Sequence, residues 1–106
     1  MGDVWITDIR HYLDGNGDLA AMPGPAMNLA LHLGSIVAWV TSRPARGVER
    51  TNVPCRRSPG RKRCPGEVVA TCDLVAGEVE WRCERCGDNG VISGWEGTRW
   101  DRREEP

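Results

Sequence analysis

A chain of 106 residues has room for one domain, or for a small domain with an arm. It is 40% hydrophobic with five Trp, one Tyr and no Phe, so Trp dominates the few large core pieces. A net charge of −1 excludes a whole-molecule field that would draw the protein to nucleic acid or to an anionic membrane. Thirteen of its fourteen cations are Arg, Lys62 being the exception, and this reads first as compositional bias.

Met1-Gly-Asp-Val-Trp5 lacks the basic start and apolar run of a secretory leader. Five cysteines, odd in number and including one C-x-x-C, suit a reducing compartment and metal binding better than a disulfide frame. The expectation is a cytoplasmic protein.

Residues 4–13, VWITDIRHYL, mix β-branched and aromatic residues as strands do. Asp14-Gly-Asn-Gly-Asp18 ends the run with turn chemistry. It is no EF-hand loop, because the sixth and twelfth places hold Leu19 and Pro25 instead of Gly and Glu. Met22-Pro-Gly-Pro25 then leads into a helix over residues 26–42, stopped by Arg43-Pro44.

That helix is apolar almost all round, with a thin stripe of Asn28, His32, Ser35 and Ser42. Such a helix is buried or meets a partner, and it is too short and interrupted for a membrane span of ~20 apolar residues. Leu29, Leu33, Ile36, Trp39 and Val40 are the candidate interaction surface for a protein partner or a second copy. Residues 45–52 are polar and read as a linker. The organisation expected is a strand–turn–helix segment (1–50), a cysteine-rich module (51–100) and a frayed charged tail (101–106).

Cys55/Cys64 and Cys83/Cys86 form two pairs, with Cys72 between them. Residues 66–74 and 79–83 alternate with period two about a loop at 75–78, which predicts a β-hairpin. A register pairing Leu74 with Val79, Cys72 with Trp81 and Ala70 with Cys83 collects Val68, Ala70, Cys72, Leu74, Val79, Trp81 and Cys83 on one face. Glu67, Thr71, Asp73, Glu80 and Arg82 share the other face with Val69. The hairpin brings the distant cysteine pairs together, and residues 91–95 can return as a third strand. Two residues between Cys83 and Cys86 let both sulfurs bind one ion, and Gly87 relieves the turn that follows. Four thiolates suit one zinc per chain. Cys72 is the rival ligand, and if it took a place Cys55 or Cys64 would be left out. Its mid-strand position favours a buried role beside Trp81.

Cys83-x-x-Cys86-Gly87, the hairpin and the returning strand resemble the zinc-ribbon family over about residues 55–96. The first pair departs from that pattern, with eight residues between Cys55 and Cys64 where two is usual. The fold class expected is α+β: a strand and a hydrophobic helix, then a zinc-stapled three-stranded ribbon.

Four cysteine ligands close the shell and leave no position for substrate. No phosphate loop, nucleophile elbow or metalloprotease helix appears, so an enzyme, or a small-molecule substrate, is not expected. Two partner classes stay open. A protein-interaction or assembly module uses the helix. A DNA- or RNA-binding protein would use Arg56, Arg57, Arg61, Lys62 and Arg63 on the loop between the first two cysteines, as the family resemblance implies, with exposed Trp95 or Trp100 stacking on bases.

Overall fold

The computed structural model describes residues 5–42, 49–55, 64–73 and 76–103. Within them one helix packs on one face of a five-stranded sheet, an α+β fold. The strands are β1 (Trp5–Asp8), β2 (Glu49–Pro54), β3 (Glu67–Asp73), β4 (Glu78–Cys83) and β5 (Asn89–Ser93), in the order β1-β5-β4-β3-β2. Helix α1 covers Gly24–Thr41.

The sheet is larger than a three-stranded ribbon because both flanking segments join it. β1 pairs parallel with β5, Ile6 lying opposite Val91, so the N-terminal strand forms one edge. The stretch read as a linker becomes strand from Glu49 onward and forms the other edge, antiparallel to β3. Polarity suggested a loop there, but an edge strand needs few apolar side chains, and Thr51 and Val53 supply the buried ones.

β1 is shorter than the strand-like run from which it was read. At its end the Asp8 carboxylate accepts the Arg10 backbone N–H at 3.0 Å and caps a 3-10 helix over Ile9–Tyr12. The Arg10 guanidinium grips the same carboxylate at 2.9 and 2.6 Å and holds its pKa down at about 2. The turn after it is an Asx turn, in which Asp14 Oδ1 accepts from the N–H groups of Asn16 and Asp18.

The β3–β4 hairpin forms with the expected faces and a different register. Cys72 pairs with Val79, Ala70 with Trp81 and Val68 with Cys83. The turn sets this: Asp73 Oδ1 accepts from Ala76 N–H at 3.0 Å and the Asp73 carbonyl from Gly77 N–H at 2.8 Å, so Asp73 and Glu78 are the last pair. A shift of two residues preserves side-chain parity, and Val68, Ala70, Val79, Trp81 and Cys83 all point inward and are buried. Leu74 lies outside the described residues.

Helix α1 lies on that inner face. Leu33, Ile36, Val37 and Val40 pack with Val68, Ala70, Val79, Trp81 and Ile92, each large side chain contributing roughly 1.5–3 kcal/mol by leaving water. Three residues expected to face a partner, Leu33 (3% exposed), Ile36 (0%) and Val40 (7%), are therefore core. The five-stranded sheet offers the helix more surface than a ribbon would, so its apolar girth is used internally. Leu29 and Trp39 are partly buried against the same core, and Leu31 is exposed.

The segment after β5 folds back over the helix. The Trp100 indole lies where a side chain at Gly34 would be. Thr41 Oγ1 accepts the Arg102 N–H at 3.0 Å, tying this segment to the end of α1. Trp95 is wholly buried beneath the Arg103 guanidinium, 4.7 Å from the ring centroid, and Asp101 holds that guanidinium at 2.8 Å. The tail expected to fray is thus held as far as Arg103. Among the described residues, no helix is long and apolar enough to cross a membrane.

Candidate metal centre

The sulfurs of Cys55, Cys64, Cys83 and Cys86 all lie within 4.8 Å of one another. Four elements deliver them: Cys55 follows β2, Cys64 precedes β3, Cys83 ends β4 and Cys86 sits on the turn into β5. Cys55, Cys64 and Cys83 are buried as a cluster separate from the main core, and Cys86 is the exposed member. Cys55 Sγ lies 3.6 Å from Cys86 Sγ, and Cys64 Sγ lies 3.7 Å from Cys83 Sγ. A tetrahedral ion with metal–sulfur bonds of ~2.3 Å has a sulfur–sulfur edge of ~3.8 Å. The four cysteines can therefore hold one metal ion, and none of the four is in a disulfide.

The backbone around the cluster is shaped for thiolates. At the second pair, Gly87 N–H donates to the Cys83 carbonyl at 2.9 Å and Cys83 N–H to the Asp88 carbonyl at 2.7 Å. Gly87 closes this turn with φ +82°, a left-handed conformation that a Cβ would oppose. Burial pushes the Cys83 thiol up, but backbone N–H groups of Cys86 and Arg85 and hydrogen bonds from Cys64 and Cys55 outweigh it, leaving the pKa below its usual value. Cys86 moves the other way. Burial of its sulfur raises it, and the Asp88 N–H and Cys55 offset this only in part. At the first pair, Gly66 N–H donates to Cys64 Sγ at 3.4 Å. Such N–H···S contacts stabilise thiolate sulfur and orient it toward an ion.

Gly66 is a site residue that sequence reasoning missed. Its carbonyl accepts from Cys55 N–H at 2.9 Å, which ties the first pair together. A Cβ there would lie 2.7 Å from Arg85 Cβ and 2.9 Å from Cys83 Sγ. The two knuckles close over this glycine. Its place two residues after Cys64 is the available signal, hidden because the same glycine also reads as the start of the hairpin.

Cys72 stands apart from the cluster. It is half-buried at the edge of the main core, and burial first of all pushes its thiol up. Its pairing partner is Val79, not Trp81. Arg56, Arg57, Arg61, Lys62 and Arg63 lie outside the described residues. Trp95 and Trp100, 0% and 8% exposed, are core pieces and offer no stacking platform. They are buried because a chain without Phe fills its largest gaps with indoles. His32 packs edge-on against Trp81 at 5.9 Å, far from a ligand role in the cluster.

Comparison with protein-family models, with curated proteins and with solved structures yields no match to this chain. What stands is a small α+β fold carrying a four-cysteine centre at one end of its sheet, consistent with a metal-binding module.

Proposed function

We propose that the chain is a non-enzymatic interaction module whose fold is stapled by one structural zinc. The carrying observation is the set of four Sγ atoms within 4.8 Å, with two edges at tetrahedral length. Soft thiolates in a tetrahedral set favour zinc, which needs no redox partner. Four protein ligands fill its shell, leaving no open position of the kind catalytic zinc sites keep. The ion would hold the ends of β2 and β4 and the start of β3 against the turn into β5.

The contact with a partner protein is assigned to apolar surface that the fold leaves outside. On the helix this is Leu31, 45% exposed, while Leu29 and Trp39 are partly buried against the core. On the sheet face away from α1, Ile6 is 75% exposed beside Val91. A depression of about 410 Å3 continues that face, its lining including Val69, Thr71, Glu80, Arg82 and Val91.

Native mass spectrometry of the reduced chain tests both parts. One zinc per chain is expected, kept by Cys72→Ser and lost by Cys83→Ser. A wild-type chain that binds no zinc, or a Cys72→Ser chain that loses it, overturns the metal reading. The interaction reading expects Leu31→Glu or Ile6→Glu to abolish self-association or capture of a protein partner. Unchanged association in both variants removes it.

A further inference from the structure

The four sulfurs are not equally protected, and the inequality has a chemical direction. Cys55 and Cys83 are each 1% exposed and Cys64 is 5% exposed, whereas Cys86 stands on an exposed turn. Gly66 packs directly over Cys83 Sγ, and its N–H occupies one side of Cys64 Sγ. Cys86 is the exposed residue of the four, and its sulfur lies 3.6 Å from that of Cys55, which follows β2 on the other knuckle. Oxidation of cysteine follows exposure, and a neighbouring thiol within reach turns it into a disulfide.

We infer that Cys86 is a peroxide-sensitive modification site, with Cys55 as its resolving partner, so that oxidation releases the ion and exchanges a metal staple for a covalent one. The inference rests on the metal reading above. The Cys86 thiolate attacks the outer oxygen of a hydroperoxide. The S–O bond forms, the O–O bond breaks, and the alkoxide or hydroxide leaves with the electron pair and takes a proton from water. The Cys55 thiolate then attacks the Cys86 sulfur. The S–S bond forms, the S–O bond breaks, and hydroxide leaves and is protonated. Two thiolates have lost two electrons, and the peroxide has become an alcohol (or water) and one further water. The ion keeps only Cys64 and Cys83, too few to hold it against water or a chelator.

Closing the pair shortens 3.6 Å to ~2.05 Å, a movement the exposed turn bearing Cys86 can supply. The rival bond within the knuckle, Cys83 to Cys86, would pull Cys83 Sγ from beneath Gly66, away from Cys64 at 3.7 Å and from the N–H groups of Arg85 and Cys86. A bond to Cys55 leaves these contacts of Cys83 in place.

The test uses the reduced, zinc-loaded full chain treated with hydrogen peroxide. A chromophoric chelator follows zinc, dimedone traps sulfenic acid, and non-reducing peptide maps locate disulfides. Trypsin cuts after Arg56 and Arg85, so Cys55, Cys83 and Cys86 fall on three separate peptides. The expected result is zinc release in step with a Cys55–Cys86 link and reversal by dithiothreitol. Early dimedone label at Cys86 should lead the three buried ligands by about tenfold. Cys72→Ser should behave as wild type. A first label on Cys55, Cys64 or Cys83, a first bond joining Cys83 to Cys86, or a first bond joining two chains through Cys72 overturns the inference. Zinc that binds but stays bound through oxidation sinks this inference alone. A reduced chain that binds no zinc sinks the metal reading and this inference with it.

Discussion

Gly66→Ala puts the geometry of the metal centre under direct strain. The added methyl would start 2.7 Å from Arg85 Cβ and 2.9 Å from Cys83 Sγ, where ordinary contacts begin at 3.4 Å. Neither neighbour is a loose end. Arg85 Cβ rides on the backbone of the Cys83–Gly87 turn, and Cys83 Sγ belongs to the cluster. Relief therefore opens the gap between the knuckles by several tenths of an ångström, whereas metal–ligand distances tolerate only ~0.2 Å. Overpacking of this kind costs about 1–3 kcal/mol. If the site absorbs all of it, zinc binding weakens by about 5- to 150-fold at 1.4 kcal/mol per tenfold. Competition against a chromophoric chelator measures this directly. Gly15→Ala, where nothing lies within 4 Å, is the control and should bind as wild type. A Gly66→Ala chain with zinc affinity within twofold of wild type would refute the account of the closed knuckles.

Gly34→Ala should expel Trp100 from the helix surface and lower stability by about 1–3 kcal/mol, a fall of roughly 4–20 °C in Tm, with a change in Trp fluorescence. An unchanged melting curve would show that Trp100 does not rest on α1. Thr41→Val keeps the shape but removes the acceptor for Arg102 N–H, at a cost of about 1 kcal/mol, and hydrogen exchange at that amide should quicken first. Asp101, held down to about 2 chiefly by its hydrogen bond to Arg103, should add stability at neutral pH. Because its folded pKa is depressed, that stability is present above the unfolded value near 3.9 and is lost as pH falls through about 2. Trp95 fluorescence under Arg103 reads the loss, which Asp101→Asn should abolish.

The hairpin faces and the four-cysteine set were legible because each rests on a local rule: alternation for the faces, and spacing within the second pair for the site. The register was not, since it depended on whether the Asp73 side chain would capture the Ala76 N–H, a choice that parity cannot distinguish. Helix α1 was legible as an element, but the destination of its apolar surface was not. That depended on how many strands the sheet would have, and both edge strands come from segments whose composition argued for something else: 4–13 for a longer strand and 45–52 for a linker. Thr51 illustrates the point. It looks like linker, yet it is wholly buried and donates to the Val68 carbonyl at 2.6 Å, a partner seventeen residues away that no local window contains. Gly34 and Gly66 escaped for a related reason, because the side chain that each must admit arrives from a distant part of the chain.

The two-core arrangement changes what metal removal should do. Sequence alone suggested a three-stranded ribbon stapled by the ion. The structure separates the cysteine cluster from a main core in which α1, Val53 of β2, β3, β4, β5, Trp95 and Trp100 pack together without any of the four ligands. The β3–β4 hairpin closes through its own turn at Asp73 and needs no metal to keep its register. β2 belongs to both. Val53 packs in the main core, but the strand is an edge, its ladder is irregular between Arg50 and Pro54, and its end is pinned through Cys55 to the cluster and to Gly66. Chelation should therefore release both knuckles and the end of β2 first, while α1 stays docked on the sheet. Hydrogen exchange on the chelated, reduced chain should show protection lost at Cys55 and Cys83 and retained at Val37, Ala70 and Ile92, with helical circular dichroism largely preserved. If instead all these amides lose protection together, the two clusters are one cooperative unit and the ion supports the whole fold.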